Sequence, residues 1–536
     1  MFLGRRYLFV TALVCIICNS AVKAQDLNAL VYPQKTNVSN NEQKTDIQEV
    51  PFTHNLLNTN LYQGFKSSLA KAKQSNIRVK RTEKGDVTSF HVRDILQAET
   101  WNQVQSECIY VSDELVIWIR QEDKQLFTGS LGIPDLIDRL SYFLEEQTSN
   151  LAVDPTSGIL DINEMYFGSP PNIDGDGRLD ILLLDIEDQF EETGSYVAGF
   201  FDPVNLIDHP NSNFRDMIYV DLYPSVIYQG TMNTDQVAAT IAHEYQHLVH
   251  ANYEGEQSQS IFINEGLSEL AEILCGFAPR KPDAYFHSPN RSLLSWNYSN
   301  PLPDYARASL FMEYLFEQVG TENTKKLVQT RSTGVEALQE VINNTSSLTL
   351  SQLFMNWGKA MLLNNRSINS AFGYKHPSRQ NVRFSTGHVY NQLPEADNLS
   401  MPHLSHRPMR FPLTKELTLH TNNFDPNITI TGKANYPDGS QRYIGSSQSG
   451  NAYFAASDNP YGSLLTLISN QEVSFSFQDS VETAYNFLAT GRKSGEIVTI
   501  AYDDGIADAF SGHASYHLLE GTEQAYAVTF QTDEPA

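Results

Sequence analysis

The chain has 536 residues, a formal net charge of −26 and 41% hydrophobic residues. So large an excess of acidic groups repels nucleic acid phosphates and anionic membrane surfaces, so neither is expected as a partner. A chain of this length is longer than those that usually fold around a single hydrophobic core, so more than one domain is predicted.

Residues 1–24 have the pattern of a secretory signal peptide. A basic head precedes an apolar run over residues 7–18, and Ala24 is a small residue of the kind that precedes a signal peptidase cut. The run is shorter than the roughly 20 residues of a membrane span, so a retained anchor is the less favoured alternative. The pattern predicts a secreted or periplasmic protein with no membrane span after cleavage.

Residues 25–88 form a polar leader without clear periodicity, a composition typical of disorder. The basic pair Lys80-Arg81 near its end is a candidate processing site. Two interpretations stay open, a propeptide that is removed and a plain flexible arm. No site residue is predicted in this segment.

Residues 89–375 have the pattern of a folded mixed domain. Apolar runs predict a strand hairpin over 108–112 and 115–119, and a further strand over 178–185. Helical periodicity prevails after residue 233. Strands followed by helices predict an α+β fold.

Only Cys108 and Cys275 remain after the predicted signal peptide, which excludes a disulfide scaffold. The sequence is compatible with one bridge between them and equally with two buried thiols.

Residues 376–409 read as a connector, and residues 410–536 as a separate domain. Short alternating runs recur in the latter between turn residues, which predicts an all-β sandwich. The role of the sandwich is not predicted. The connector carries His388, His403 and His406, any of which could reach a site in the preceding domain.

Oxygen-bearing side chains alternate along the turn that precedes the strand at 178–185. Asp174, Asp176 and Asp180 resemble the first half of a calcium-binding loop. Leu183 stands where such a loop ends in glutamate, and a strand follows instead of a helix. An acidic turn without calcium is therefore the favoured interpretation.

The segment His243-Glu244-Tyr-Gln-His247 contains the main candidate catalytic and metal-binding residues. Two histidines four residues apart on a helix lie on one side of it, at about 6 Å of rise, and can bind one zinc ion. Glu244 would then border the zinc-bound water and take its proton. Asn233, three residues before Gln236, predicts the cap that begins this helix.

A second helical pattern begins near residue 261 and contains Asn264-Glu265-Gly-Leu-Ser-Glu269. A short connection between the two helices can bring Glu265 to the metal as a third ligand, which leaves a position for water. Glu269, one turn later, is predicted to accept the other ring N–H of a metal-binding histidine.

The HEYQH and NEGLSE motifs together resemble the gluzincin clan of zinc peptidases, the group of thermolysin. The resemblance implies a thermolysin-like catalytic domain, the ligands His243, His247 and Glu265, the base Glu244 and the supporting carboxylate Glu269. Flanking segments between 90 and 365 are similar to hyicolysin-type secreted peptidases. The metzincin pattern is excluded, because it needs glycine at position 250 and histidine at 253, where this chain has His and Tyr.

Peptide hydrolysis also needs a donor for the developing oxyanion. Tyr305 is the candidate, because clan members use Tyr or His from beyond the third ligand; a packed core tyrosine is the alternative. No amine-binding Gly-x-Met-Glu-Asn segment is present. The sequence thus favours an endopeptidase acting on protein or peptide substrates. The alternatives are a zinc aminopeptidase and a non-catalytic, metal-supported binding protein, and the intact Glu244 disfavours the last.

Overall fold

The computed structural model describes residues 48–57, 69, 81–128 except 98, and 132–384 except 255, 256, 346 and 347. Beyond these it describes strands between 388 and 491 with the turn 403–405. The predicted signal peptide and most of the predicted leader lie outside the described residues.

The strands of the first part precede its long helices in the chain, which is compatible with the predicted α+β class. In chain order the strands are β1 (Gln48–Glu49), β2 (Val87–Arg93), β3 (Trp101–Val111), β4 (Leu115–Arg120), β5 (Leu179–Leu184), β6 (Ser195–Tyr196), β7 (Gly199–Phe201), β8 (Met217–Asp221), β9 (Ile227–Tyr228) and β10 (Thr231–Met232). The helices are α1 (Thr53–Leu57), α2 (Ile133–Ser141), α3 (Ile159–Tyr166), α4 (Phe190–Thr193), α5 (Thr234–Ala251), α6 (Ile261–Leu274), α7 (Asp283–Phe286), α8 (Leu302–Val319), α9 (Thr321–Gln329), α10 (Gly334–Thr345) and α11 (Leu350–Leu363).

The domain contains a six-stranded mixed sheet in the order β2-β3-β4-β5-β8-β7. The predicted hairpin is confirmed as the antiparallel pair β3 and β4, and the predicted strand at 178–185 is β5. The central strands β4, β5 and β8 run parallel, and every residue in them is buried. Such burial on both faces explains why their sequences are nearly continuous apolar runs.

Successive residues of the central strands belong to two different cores. Ile117 and Ile181 lie in a large core shared with the helices, whereas Trp118 and Leu182 lie in a smaller core on the other face. Period-2 alternation along a strand produces this division. Cys108 belongs to the smaller core and Cys275 to the larger one, so both are buried free thiols and do not form the possible bridge.

Residues 48–57 of the predicted leader fold against the domain. The backbone of β1 pairs in parallel with β6, and all five residues of α1 are buried. Nothing in the periodicity of the leader indicated this, because the segment is too short to show a pattern of its own.

A buried ion pair joins α8 to the segment after α11. The Nε of Arg379 lies 2.7 Å from Glu313 Oε2, and both side chains are at most 2% exposed. Arg379 also donates to Ser309 Oγ and to the backbone carbonyl of Arg280. The guanidinium therefore holds three separate parts of the helical layer together.

Substitution of Arg379 by methionine should lower the free energy of unfolding by about 3–5 kcal/mol, because Glu313 would be left buried without its partner. Urea unfolding monitored by circular dichroism measures the loss. The exposed Arg366 provides the matched control, and Arg366→Met should change the stability by at most about 0.5 kcal/mol. Equal stabilities of the two variants would contradict the structural role of the pair.

The chain beyond residue 388 is strand-rich, as predicted for its C-terminal part. The strands are β11 (His388–Val389), β12 (Glu395–Pro402), β13 (His406–Phe411), β14 (Glu416–Asn422), β15 (Ile428–Asn435), β16 (Gln441–Ser447), β17 (Asn451–Ala455), β18 (Ser463–Ser469) and β19 (Glu482–Gly491). They form a five-stranded sheet β11-β13-β18-β15-β16 and a four-stranded sheet β12-β19-β14-β17. A sandwich built from these sheets stays a prediction.

Strands begin inside the predicted connector 376–409, and β13 packs against the helical layer. His406 stacks on Phe354 with ring centroids 4.6 Å apart, and its Nδ1 lies 2.9 Å from the hydroxyl of Tyr285. His403 is buried, and the side chain of His388 lies outside the described residues. The described contacts of His406 therefore serve core packing between the two parts of the chain.

Candidate metal centre

Helix α5 begins where the sequence predicts. The side chain of Asn233 accepts a hydrogen bond from the backbone N–H of Gln236, which confirms the predicted cap. Val237, Ile241 and Tyr245 point into the core as the apolar stripe requires. The opposite face, however, is also buried, since residues of α6 contact the histidines and Thr53 of the leader contacts Glu244.

His243, His247 and Glu265 converge across α5 and α6. The Nε2 atoms of the two histidines lie 3.3 and 3.4 Å from Glu265 Oε2, and one ligand atom from each residue falls within 4.8 Å of the others. Each of the three side chains is at most 8% exposed. The structure thus brings together the three residues that the sequence predicts as ligands. His250, on the same helix, is not a member of this group.

The donor set fits a zinc ion. Within the described residues, His247 Nε2 and Glu265 Oε1 are buried and have no hydrogen-bond partner. Buried polar atoms are normally satisfied, and a cation between them would satisfy both. Two imidazoles and one carboxylate are the protein ligands of many catalytic zinc sites.

Burial and neighbouring groups act in opposite directions on the pKa of Glu265. Burial raises the pKa of Glu265, but the charge of His247 and the hydrogen bond to His243 outweigh burial and hold the pKa below its ordinary value. A lowered pKa favours the ionised carboxylate, which is the form that binds a metal.

Two further side chains orient the histidines. Glu272 Oε1 lies 2.8 Å from His243 Nδ1, and Asn264 Oδ1 lies 2.7 Å from His247 Nδ1. Such contacts fix the ring orientation and leave Nε2 free for a metal. The sequence assigned this role to Glu269, which instead accepts from Arg280 Nε at 2.6 Å.

The difference between the predicted partner Glu269 and the observed partner Glu272 has a local cause, and it could be foreseen only in part. Glu272 lies on α6 two turns after Glu265, so the helical period alone allows either Glu269 or Glu272 to face α5. Arg280 decides between them by pairing with Glu269. Asn264 could have been found, because it precedes Glu265 in the same motif.

Glu244 lies beside the two histidines and is 5% exposed. Its Oε2 accepts a hydrogen bond of 2.8 Å from the hydroxyl of Thr53, a residue of the leader. Burial raises the pKa of Glu244, and the charges of His243 and His247 oppose the rise. Sequence reasoning missed Thr53, since 191 positions separate it from Glu244.

Tyr305, on α8, is fully buried next to this cluster. Burial, followed by the charge of Glu265, raises its pKa well above the ordinary value, so the hydroxyl keeps its proton. The hydroxyl lies 2.9 Å from Nδ1 of His54, a second leader residue, and the ring lies 5.1 Å from the guanidinium of Arg280. The sequence did not predict the contact with His54.

Carboxylates of the acidic turn before β5 accept hydrogen bonds from other protein side chains. Asp176 accepts from Arg178 Nη2 and Asp180 from Trp118 Nε1, each at 2.6 Å. Among the described residues, neither these two nor Asp174 belongs to a group of three convergent ligand atoms. The calcium hypothesis is therefore not supported.

The described part of the chain thus combines a mixed sheet with two helices that present a convergent His-His-Glu cluster, which could hold a metal ion, and a further glutamate lies beside it. The chain is 33% identical over 218 residues to the neutral metalloprotease ShpI of Staphylococcus hyicus. The match covers 38% of this chain and 50% of that protein, so the chain spans half the length of the relative. This similarity supports a metalloprotease relationship.

No family model matches the chain. The periplasmic lysozyme inhibitor PliG of Aeromonas hydrophila aligns with 19% of this chain and 95% of its own at 10% identity, and the TM-score of 0.14 carries no fold argument.

Proposed function

We propose that this chain is an exported, zinc-dependent endopeptidase with a thermolysin-like catalytic domain. The observation that carries the proposal is the buried convergence of His243, His247 and Glu265 with Glu244 alongside. The similarity to a neutral metalloprotease supports the same class of reaction. Export is supported by the signal-like N-terminus, and no helix among the described residues is long and apolar enough to cross a bilayer.

The protein supplies the metal ligands and the general base. His243, His247 and Glu265 would hold the zinc ion, which when bound polarises the scissile carbonyl and makes water a stronger nucleophile. Glu244 accepts the proton of the attacking water and delivers it to the leaving amine.

Tyr305 would supply the remaining requirement, a hydrogen bond to the developing oxyanion. Its hydroxyl is protonated and lies next to the ligand Glu265, which suits a neutral donor at the reacting carbonyl. Glu272 and Asn264 keep the two imidazoles in the tautomer that presents Nε2.

The decisive experiment is hydrolysis of an internally quenched peptide whose two ends are blocked. We expect cleavage within the peptide, its loss on treatment with a zinc chelator, and its return when zinc is added. The assay should use the full chain and the chain cut at Lys80-Arg81. Cleavage confined to peptides with a free N-terminus would favour the aminopeptidase alternative. No hydrolysis by either zinc-loaded form would favour a non-catalytic metal-supported protein.

A further inference from the structure

We propose that residues 48–57, here named the inhibitory segment, block the catalytic site of this chain until they are released. Residues 48–51 of the segment form part of the wall of a cleft of about 1290 Å³, which His243 and Glu244 also line. The inference rests on the proposed peptidase function, and it decides between the two interpretations of the leader in favour of a propeptide.

The segment is held against the domain by backbone pairing. The N–H of Gln48 donates to Gly194 O at 3.0 Å, and that of Val50 donates to Tyr196 O at 2.8 Å. The Nε2 of Gln236, on α5, donates to Glu49 Oε2 at 3.0 Å. An extended chain added to an exposed strand is a common mode of peptide recognition, so the segment uses backbone groups that a peptide substrate could use.

Thr53 then engages the proposed base. Its hydroxyl donates to Glu244 Oε2 at 2.8 Å and accepts from the backbone N–H of Phe201 at 3.0 Å. Phe201 lies in β7, the edge strand of the six-stranded sheet. The Thr53 hydroxyl therefore occupies the oxygen of Glu244 that would accept a proton from water. It also occupies the backbone N–H of Phe201 in the edge strand.

His54 engages the proposed oxyanion donor in the same way. Its Nδ1 lies 2.9 Å from the hydroxyl of Tyr305, and its ring packs between Trp296 and Tyr298 with centroid distances of 5.9 and 5.8 Å. The imidazole is fully buried. While this contact persists, the hydroxyl of Tyr305 is not available to a substrate carbonyl.

Apolar side chains anchor the segment on both sides of these contacts. Phe52 meets Phe200 edge to face at 5.8 Å, Leu56 belongs to the smaller core and Leu57 to the larger one. Because the segment is part of the same chain, its effective concentration at the cleft is high. A cut between Leu57 and β2 removes that advantage and allows dissociation. Arg81 of the candidate processing site is exposed.

The test compares uncut and cut forms of the full chain, with a site for a specific protease placed at Lys80-Arg81. The uncut chain should hydrolyse the blocked peptide at least about 10-fold more slowly than the cut chain, the equivalent of one hydrogen bond to a charged group. The double variant Thr53→Val, His54→Ala should recover most of that activity without a cut. After the cut and removal of the segment by gel filtration, variant and parent should have equal rates.

Controls separate this inference from the proposed function. Gln48→Ala keeps the backbone bonds of β1 and should leave the uncut chain as slow as the parent. A synthetic peptide of residues 48–57 should inhibit the cut enzyme, and its Thr53→Val, His54→Ala form should inhibit it less. If the uncut chain is as active as the cut chain, or if the cut lowers activity, the segment is a part of the active fold and the inference is wrong. If both zinc-loaded forms are inactive, the proposed function fails instead.

Discussion

Replacing Glu244 by glutamine is expected to leave the zinc in place and to lower peptide hydrolysis at least about 100-fold. Glutamine has the same shape and still offers an oxygen to the Thr53 hydroxyl, but its amide cannot take a proton from water. The metal ligands and their supporting contacts are unaffected by the change. The expected phenotype is therefore a loss of turnover without a loss of metal.

The measurement pairs elemental analysis of zinc with kcat/KM on the blocked quenched peptide, using the chain cut at Lys80-Arg81. Glu192→Gln, at an exposed position of α4, makes the same chemical change away from the site and should have the parent rate. Undiminished turnover in a zinc-loaded Glu244→Gln protein would exclude Glu244 as the base.

The second large effect is expected from His247→Ala. Loss of a ligand should lower the affinity for zinc by more than the roughly 10–100-fold that follows loss of a supporting contact. The unbound Glu265 would then remain buried opposite a single imidazole, so the protein should also unfold at a lower temperature. Competition with a coloured zinc chelator measures the affinity, and calorimetry measures the stability.

Three comparison variants make this series informative. Glu272→Gln should lower the affinity for zinc by about 10–100-fold, because Glu272 orients His243. Glu269→Gln should have a smaller effect on zinc, because that carboxylate pairs with Arg280. His250→Ala, one turn along the same helix, should keep a full complement of zinc. Full zinc in His247→Ala would overturn the ligand assignment.

The sequence by itself determined the local part of the site. Histidines at positions 243 and 247 must lie on one side of any helix that contains them, and the Asn233 cap and the apolar stripe at Val237 and Ile241 indicate that helix. Glu265 follows on the next helical pattern after a short connection. These predictions depend on neighbours along the chain, for which periodicity is sufficient.

Tertiary structure decided everything that depends on how distant segments meet. Thr53 reaches Glu244 across 191 positions and His54 reaches Tyr305 across 251. No periodicity in a ten-residue segment encodes such contacts, because they arise only when the segment pairs with β6 and buries Thr53 and His54 against the domain.

The same reason applies to the contacts around the candidate metal centre. The choice of Glu272 over Glu269 depends on Arg280, which approaches from beyond the end of α6. Cys108 and Cys275 stay apart because a sheet separates the cores that contain them. A helix can thus be predicted from its own residues, whereas the partners of its buried polar groups are selected by the packing of the whole domain.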